Sequence, residues 1–163
     1  MSLFEWCQWL QHTPLATTIS ESDWLFPLIE GSHILALPLS VGMIVIFDLR
    51  LLGLAFRGES AAKLMYQLLS WCKIGFAIMF LTGVLLFISQ AAKAYGNAFF
   101  RAKLILLLLL GINAAVYQIA FYPKMARWDL SGGTPAGARW CAAFSIAAWL
   151  AVIVCGRTMA YQF

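Results

Sequence analysis

Apolar residues crowd into four long stretches, 27–49, 71–89, 104–122 and 140–156, separated by short segments that hold most of the polar, glycine and proline residues. An α-helix rises about 1.5 Å per residue, so about 20 apolar residues are needed to cross a hydrocarbon core about 30 Å thick. Each stretch reaches or approaches that length, which predicts an all-α fold, an integral membrane four-helix bundle. Ahead of the first stretch, Leu3, Trp6, Cys7, Trp9 and Leu10 recur at helical spacing while Glu5, Gln8 and His12 lie toward another face. That pattern predicts a short helix over 2–12 in the plane of the membrane, with its tryptophans among headgroups. A cap packed on the bundle would bury the same stripe, so the pattern leaves both placements open.

The punctuation between stretches sets the expected helix ends. Thr13-Pro14 interrupts the first helix, and Ser22-Asp23 ahead of Pro27 makes a polar cap with an early proline. Pro38 lies inside the first span, lacks an amide hydrogen and clashes with the Ile34 carbonyl, so a bend is expected there. Such a bend either frees a carbonyl for a ligand or serves packing alone. Glu59-Ser60 caps a pattern in which Ala61, Leu64, Leu68 and Trp71 share a face, so the second helix begins well before its apolar stretch and runs about 30 residues to Ser89. Gly96-Asn97 marks a turn, Pro123 ends the third helix, and Gly132, Gly133, Pro135 and Gly137 mark a loop. Ala143, Ala147 and Ala151 recur every four residues, a small-residue ridge suited to close contact with a helix of this chain or of another.

Composition sharpens this picture. With 63% hydrophobic and 11% charged residues, the 163-residue chain is one membrane domain without a water-soluble module. The net charge of +4 comes from basic residues set singly at the ends of apolar runs, which suits membrane lipid headgroups and excludes nucleic acid as the expected partner. Cys7, Cys72, Cys141 and Cys155 lack the paired spacings of zinc or iron–sulfur sites and read as small buried hydrophobes. The first twenty residues have no basic start, so no cleavable signal is expected and the first span serves as the insertion signal. Arg50, Arg57, Lys63, Lys73, Lys124, Arg127 and Arg139 would share one side, against Lys93, Arg101, Lys103 and Arg157 on the other. The bias puts both termini outside.

Chemistry-bearing residues are sparse. With both termini outside, Glu30 and His33 stand at the level of Arg101 and Lys103, an outer polar cluster in which the carboxylate would hold a cation. The plainer readings are that Glu30 and Lys103 pin two helices, or that Lys103 snorkels to headgroups. His33, one turn from Glu30, is the candidate ligand for haem iron or a quinone, or else a bundle hydrogen-bonding group. A two-histidine haem lacks a second imidazole within the four spans, since the other histidine is His12; His12 folding back, a neighbouring subunit, or a methionine such as Met43 or Met79 would have to complete it. Asn113 and Gln118 lie deep in the third span and want interhelical partners, or form a conduit with Ser40, Thr82 and Ser145. Asp48 and Arg50 read as an inner anchor touching headgroups or the following loop. Nucleotide loops, hydrolytic triads and clustered metal ligands are absent, which excludes hydrolytic and phosphoryl-transfer enzymes.

The run Trp24-Leu25-Phe26-Pro27-Leu28-Ile29-Glu30-Gly31-Ser32-His33-Ile34-Leu35, followed by Asp48-Leu49-Arg50-Leu51-Leu52-Gly53 and by Phe99-Phe100-Arg101-Ala102-Lys103, resembles a family of small bacterial four-helix membrane proteins of unknown function. The resemblance implies the bacterial inner (cytoplasmic) membrane and marks Glu30, His33, Asp48, Arg50 and Lys103 as pattern positions. The helical arrangement is more distantly similar to membrane cytochrome b and copper-resistance proteins. Where members often carry a histidine late in the third helix, this chain has Tyr117. Two functions are therefore expected. One is a non-enzymatic membrane subunit, a homo-oligomer or part of a larger membrane complex. The other is an electron-transfer component in which His33 binds haem b or a quinone, Glu30 orients the ring, and Arg101 or Lys103 offsets ligand charge.

Overall fold

The computed structural model describes residues 2–130 and 133–161, and no strand occurs among them. Gly132 of the expected loop lies outside the described residues. The chain opens with α1 (Leu3–Gln11) and α2 (Pro14–Glu21). Ser2 starts α1 with a reciprocal capping box: the Glu5 amide donates to the Ser2 hydroxyl at 3.2 Å, and the Ser2 amide donates to Glu5 Oε2 at 2.8 Å. Cys7 is buried where α1 packs on the later helices Ala61–Ser89 and Ala91–Gly96, as expected of a cap on the bundle, while Trp6 and Trp9 stay exposed.

The first long helix is α3 (Leu25–Leu37), a π-helical turn over Pro38–Gly42, and α4 (Met43–Leu52). Proline cannot donate to the carbonyl one turn back and its ring crowds it, and the wider π turn accommodates both defects without ending the helix. Gly53, at φ 71°, closes α4 in the left-handed conformation that glycine adopts without strain. The second long helix, α5 (Ala61–Ser89), starts on the Ser60 hydroxyl, which accepts from the Lys63 amide at 3.3 Å. A short α6 (Ala91–Gly96) fills what the sequence marked as a turn, and Asn97 Oδ1 then caps α7 (Ala98–Ala120) by accepting from the amides of Phe99 and Phe100. Pro123 lies in a 3₁₀ turn that leads into α8 (Met125–Leu130), and the chain ends with α9 (Ala136–Ala160).

Four helical runs, Leu25–Leu52, Ala61–Ser89, Ala98–Asp129 and Ala136–Met159, are long and apolar enough to cross a membrane, as in a multi-pass membrane protein. We call the end carrying α1, α2 and α6 upper, and the end carrying the α4–α5 and α8–α9 connections lower. Packing differs between the two halves. α4 lies between α5 and α9 in the lower half, whereas α3 packs on α5 and α2 and makes no comparable contact with α7 or α9. The upper half is therefore two helix pairs, α3 with α5 and α7 with α9. One apolar cluster around Leu51, Tyr117, Met125, Trp128 and Ala142 ties the lower half; another around Val41, Leu110, Trp149 and Val152 ties the middle.

Within the chain, α9 buries Ala138, Ala142, Ser145, Ala148, Trp149 and Val152, while Ala147 of the expected alanine ridge is exposed. Both small-residue rows run along the same helix, and the position of α4 and α7 selects the row one step away from the regular alanine repeat.

Candidate functional site

His33 comes from α3 and faces α5. Its Nδ1 lies 2.8 Å from Thr82 Oγ1, and the Thr82 hydroxyl donates to the Ile78 carbonyl one turn back at 2.6 Å. With the hydroxyl proton directed to Ile78, this pairing favours the tautomer in which Thr82 accepts from Nδ1–H of His33. The Met79 backbone carbonyl is a second acceptor for the ring. Gly83 makes room for the ring: a Cβ there would stand 3.2 Å from His33 Cε1. Across the upper half, half-buried Lys103 of α7 lies over Gly156 of α9, with Nζ 3.6 Å from where a Cβ would be, and its charge acts on the His33 ring. Lys103 makes no ion pair with any described residue. The site therefore offers an oriented acceptor nitrogen and a cation, set on the two helix pairs that do not pack closely on each other.

The other members of the expected outer cluster do not join it. Glu30 is half-buried and Arg101 exposed, and neither forms an ion pair among the described residues. The separation of α3 from α7 keeps the expected Glu30–Lys103 pairing from forming, even though the two residues sit near the same helix ends.

Lower down, Asp48 is 5% exposed, so it is not a headgroup anchor. Its position two residues before Arg50, about 200° around the helix, turns it inward when Arg50 turns toward the next loop. Ser145 of α9 hydrogen-bonds its carboxyl group, Tyr117 and Cys141 stand within its electrostatic reach, and both Asp48 Oδ2 and the Tyr117 hydroxyl are buried without partners. Arg50 does meet the following loop: Nε donates to the Glu59 carbonyl at 2.6 Å, and Nη2 pairs with Asp129 at 3.3 Å. Asn113 finds an interhelical partner, donating to the Cys141 carbonyl at 3.1 Å, whereas Gln118 is exposed on α7. No continuous conduit links Ser40, Thr82 and Ser145, because Ser40 donates to the Ala36 carbonyl of its own helix, Thr82 to Ile78, and Ser145 stands beside Asp48.

Sequence reasoning missed the parts that give these residues their roles. Thr82 favours one His33 tautomer, Gly83 clears its ring, and Asp129 holds Arg50; the only linear hint for Asp129 was a lone carboxylate among the basic residues between Lys124 and Arg139. No group of three or more histidine, cysteine or acidic side chains suited to a metal occurs among the described residues.

A family model described as a family of unknown function (DUF6644) matches residues 22–162, which takes in all four long helices and leaves α1 and α2 outside the match. No curated protein and no solved structure matches the chain.

Proposed function

The chain belongs to this family of unknown function, and from the geometry of its upper half we propose that it is a quinone-binding subunit of a membrane complex. The observation that carries the reading is the oriented His33 ring: Nδ1–H is directed to Thr82, leaving Nε2 to face a ligand as acceptor. A quinone ring presents two carbonyl oxygens that become hydroxyls on reduction. His33 Nε2 would accept a hydrogen bond, and then a proton, from a quinol hydroxyl, and the Lys103 ammonium would donate to a quinone carbonyl oxygen. The quinone supplies the two-electron chemistry; the chain's residues bind, orient and handle the proton, and the electrons pass to or from a partner subunit.

Haem fits less well. A second axial ligand is needed, and His12 is exposed on the N-terminal segment outside the family match. Met79 already contacts the Ser40 hydroxyl at 2.8 Å.

A second observation supports the subunit half of this reading. On the outward face of α5, Lys63, Tyr66, Gln67, Ser70 and Lys73 are exposed and fall within one arc of the helix. Lys73 is two residues from Gly75, where α5 crosses the π turn in the middle of the first long helix, so the stripe climbs about 3 Å short of that level. A polar stripe at that depth is costly against lipid and is relieved by a protein partner. The basic residues of the lower end support a reading in which that end is cytoplasmic and both termini lie on the outer side of a bacterial inner membrane.

The test is a titration of a short-chain quinone into purified protein in phosphatidylcholine nanodiscs, read by tryptophan fluorescence. Saturable quenching is expected, weakened by about tenfold in Thr82→Val through loss of one oriented hydrogen bond and abolished in His33→Leu. Unsaturable quenching, or equal affinity in all three proteins, would overturn the reading. Haem absorption bands in protein made under haem-sufficient growth would replace quinone with haem.

A further inference from the structure

An open cavity of about 800 Å³ lies at the lower end, away from His33, between the α4–α5 connection, α8 and the start of α9. Its walls include Arg50, Arg57, Ser60, Asp129, Thr134 and Arg139, and their charges can be followed one at a time. Asp129 is fully engaged: Oδ1 takes Arg50 at 3.3 Å, and Oδ2 accepts from the Ser60 hydroxyl at 2.6 Å and the Ala62 amide at 3.3 Å. The Glu59 carboxylate is matched by Lys63 at 3.1 Å, so it offers nothing to the arginines. Arg57 spends Nε on the Gly53 carbonyl, and the Arg139 side chain makes no hydrogen bond or ion pair with any described residue.

Two guanidinium charges without carboxylate partners thus share one concave surface with the hydroxyls of Ser60 and Thr134. A guanidinium presents paired donors that match the oxygens of a phosphate, and hydroxyls fill the remaining acceptor sites. The same walls carry Leu51, Leu52 and Ala126, so the cavity also accepts apolar atoms next to the anion. Its level completes the argument. It sits at the lower ends of the runs Leu25–Leu52 and Ala61–Ser89, where the phosphates of a bilayer would stand if these helices cross it.

We propose that this cavity is a phosphate-binding site that takes the headgroup phosphodiester of an anionic phospholipid, held between Arg57 and Arg139. The Arg50–Asp129–Ser60 network forms the fixed wall, because it ties α4, α8 and the start of α5 together before any ligand arrives. The two outer arginines supply the recognition.

The test uses full-length protein, delipidated and returned to nanodiscs of phosphatidylcholine with or without one quarter phosphatidylglycerol, with retained lipid counted by native mass spectrometry. One phosphatidylglycerol retained per chain is expected, with occupancy falling about tenfold in the double variant Arg57→Gln, Arg139→Gln. Lys124→Gln with Arg127→Gln removes two exposed lower-end charges outside the cavity and should leave occupancy unchanged. Melting in pure phosphatidylcholine separates lost binding from lost folding: equal melting of wild type and the cavity double variant is expected. Equal losses in the two double variants would reduce the effect to general surface charge and overturn the site. Competition by inorganic phosphate at millimolar concentration, without retained lipid, would keep the phosphate site and overturn the lipid as its source. None of these readouts depends on His33.

Discussion

Asp48 shows how a residue's role can reverse between chain and fold. Two residues before an arginine at a helix end, it reads as an anchor, yet it is buried beside Tyr117 and Ser145 with one carboxylate oxygen unpartnered. A buried acceptor without a donor costs about 1–3 kcal/mol. Asparagine keeps the shape, removes the charge and replaces an unpartnered acceptor oxygen. Asp48→Asn is therefore expected to stabilise the protein by about 1 kcal/mol, whereas Asp48→Ala, which strands Ser145 as well, should destabilise it by a similar amount. Thermal melting in one detergent checks both. Equal losses from the two would mean that the carboxylate itself is needed, as it would be for a bound cation.

Backbone meets backbone where α5 crosses the π turn. A Cβ on Gly75 would stand 2.6 Å from both the Leu39 carbonyl carbon and the Ser40 amide nitrogen, so it would strike backbone on the partner helix. Backbone at that contact has no rotamer by which to yield. Gly75→Ala should cost about 2–3 kcal/mol or more and shift α5 away from Pro38–Gly42. Gly83→Ala is the contrasting case, because its Cβ would meet only the His33 ring at 3.2 Å, a side chain that can tilt. It should leave the melting temperature nearly unchanged while weakening quinone binding, since the ring loses its geometry on Thr82. Melting and quench titration run on the same two variants separate these outcomes; a Gly75→Ala protein as stable as wild type would show that the crossing is looser than its distances indicate.

At the scale of the molecule, the outward stripe on α5 bears on assembly. Replacing Gln67, Ser70 and Lys73 together by leucine makes that face apolar, which lipid accepts and a polar partner does not. The triple variant is expected to fold and insert normally but to lose its larger species when sized by light scattering in mild detergent. A wild-type protein that is monomeric in mild detergent and in native lipid extracts would remove the partner from this face. The two double variants at the lower end serve as a control here, because charge at the cavity lies on a different surface from the stripe.

Helical content and the four apolar helices were legible in the chain because length and hydropathy are local sums: about 20 apolar residues make a spanning helix whatever surrounds them. The Ser60 start of α5 and the interruption near Pro123 were legible for the same reason, since caps and prolines act within one turn. What the chain could not show is which face each helix turns to its neighbours. Two alanine rows one residue apart on α9 have nearly the same pattern, and only the position of α4 and α7 chose the row through Ala142 and Ser145. His33 was visible as a candidate, but its tautomer depends on Thr82, 49 residues away in sequence. Glu30 and Lys103 stood at matching helix ends, yet α3 diverges from α7. Asp48 became internal, and Asp129 became the hub for Arg50 and Ser60, through contacts that no spacing along the chain encodes. Periodicity determines that a helix has a buried face, while the tertiary arrangement decides what that face meets.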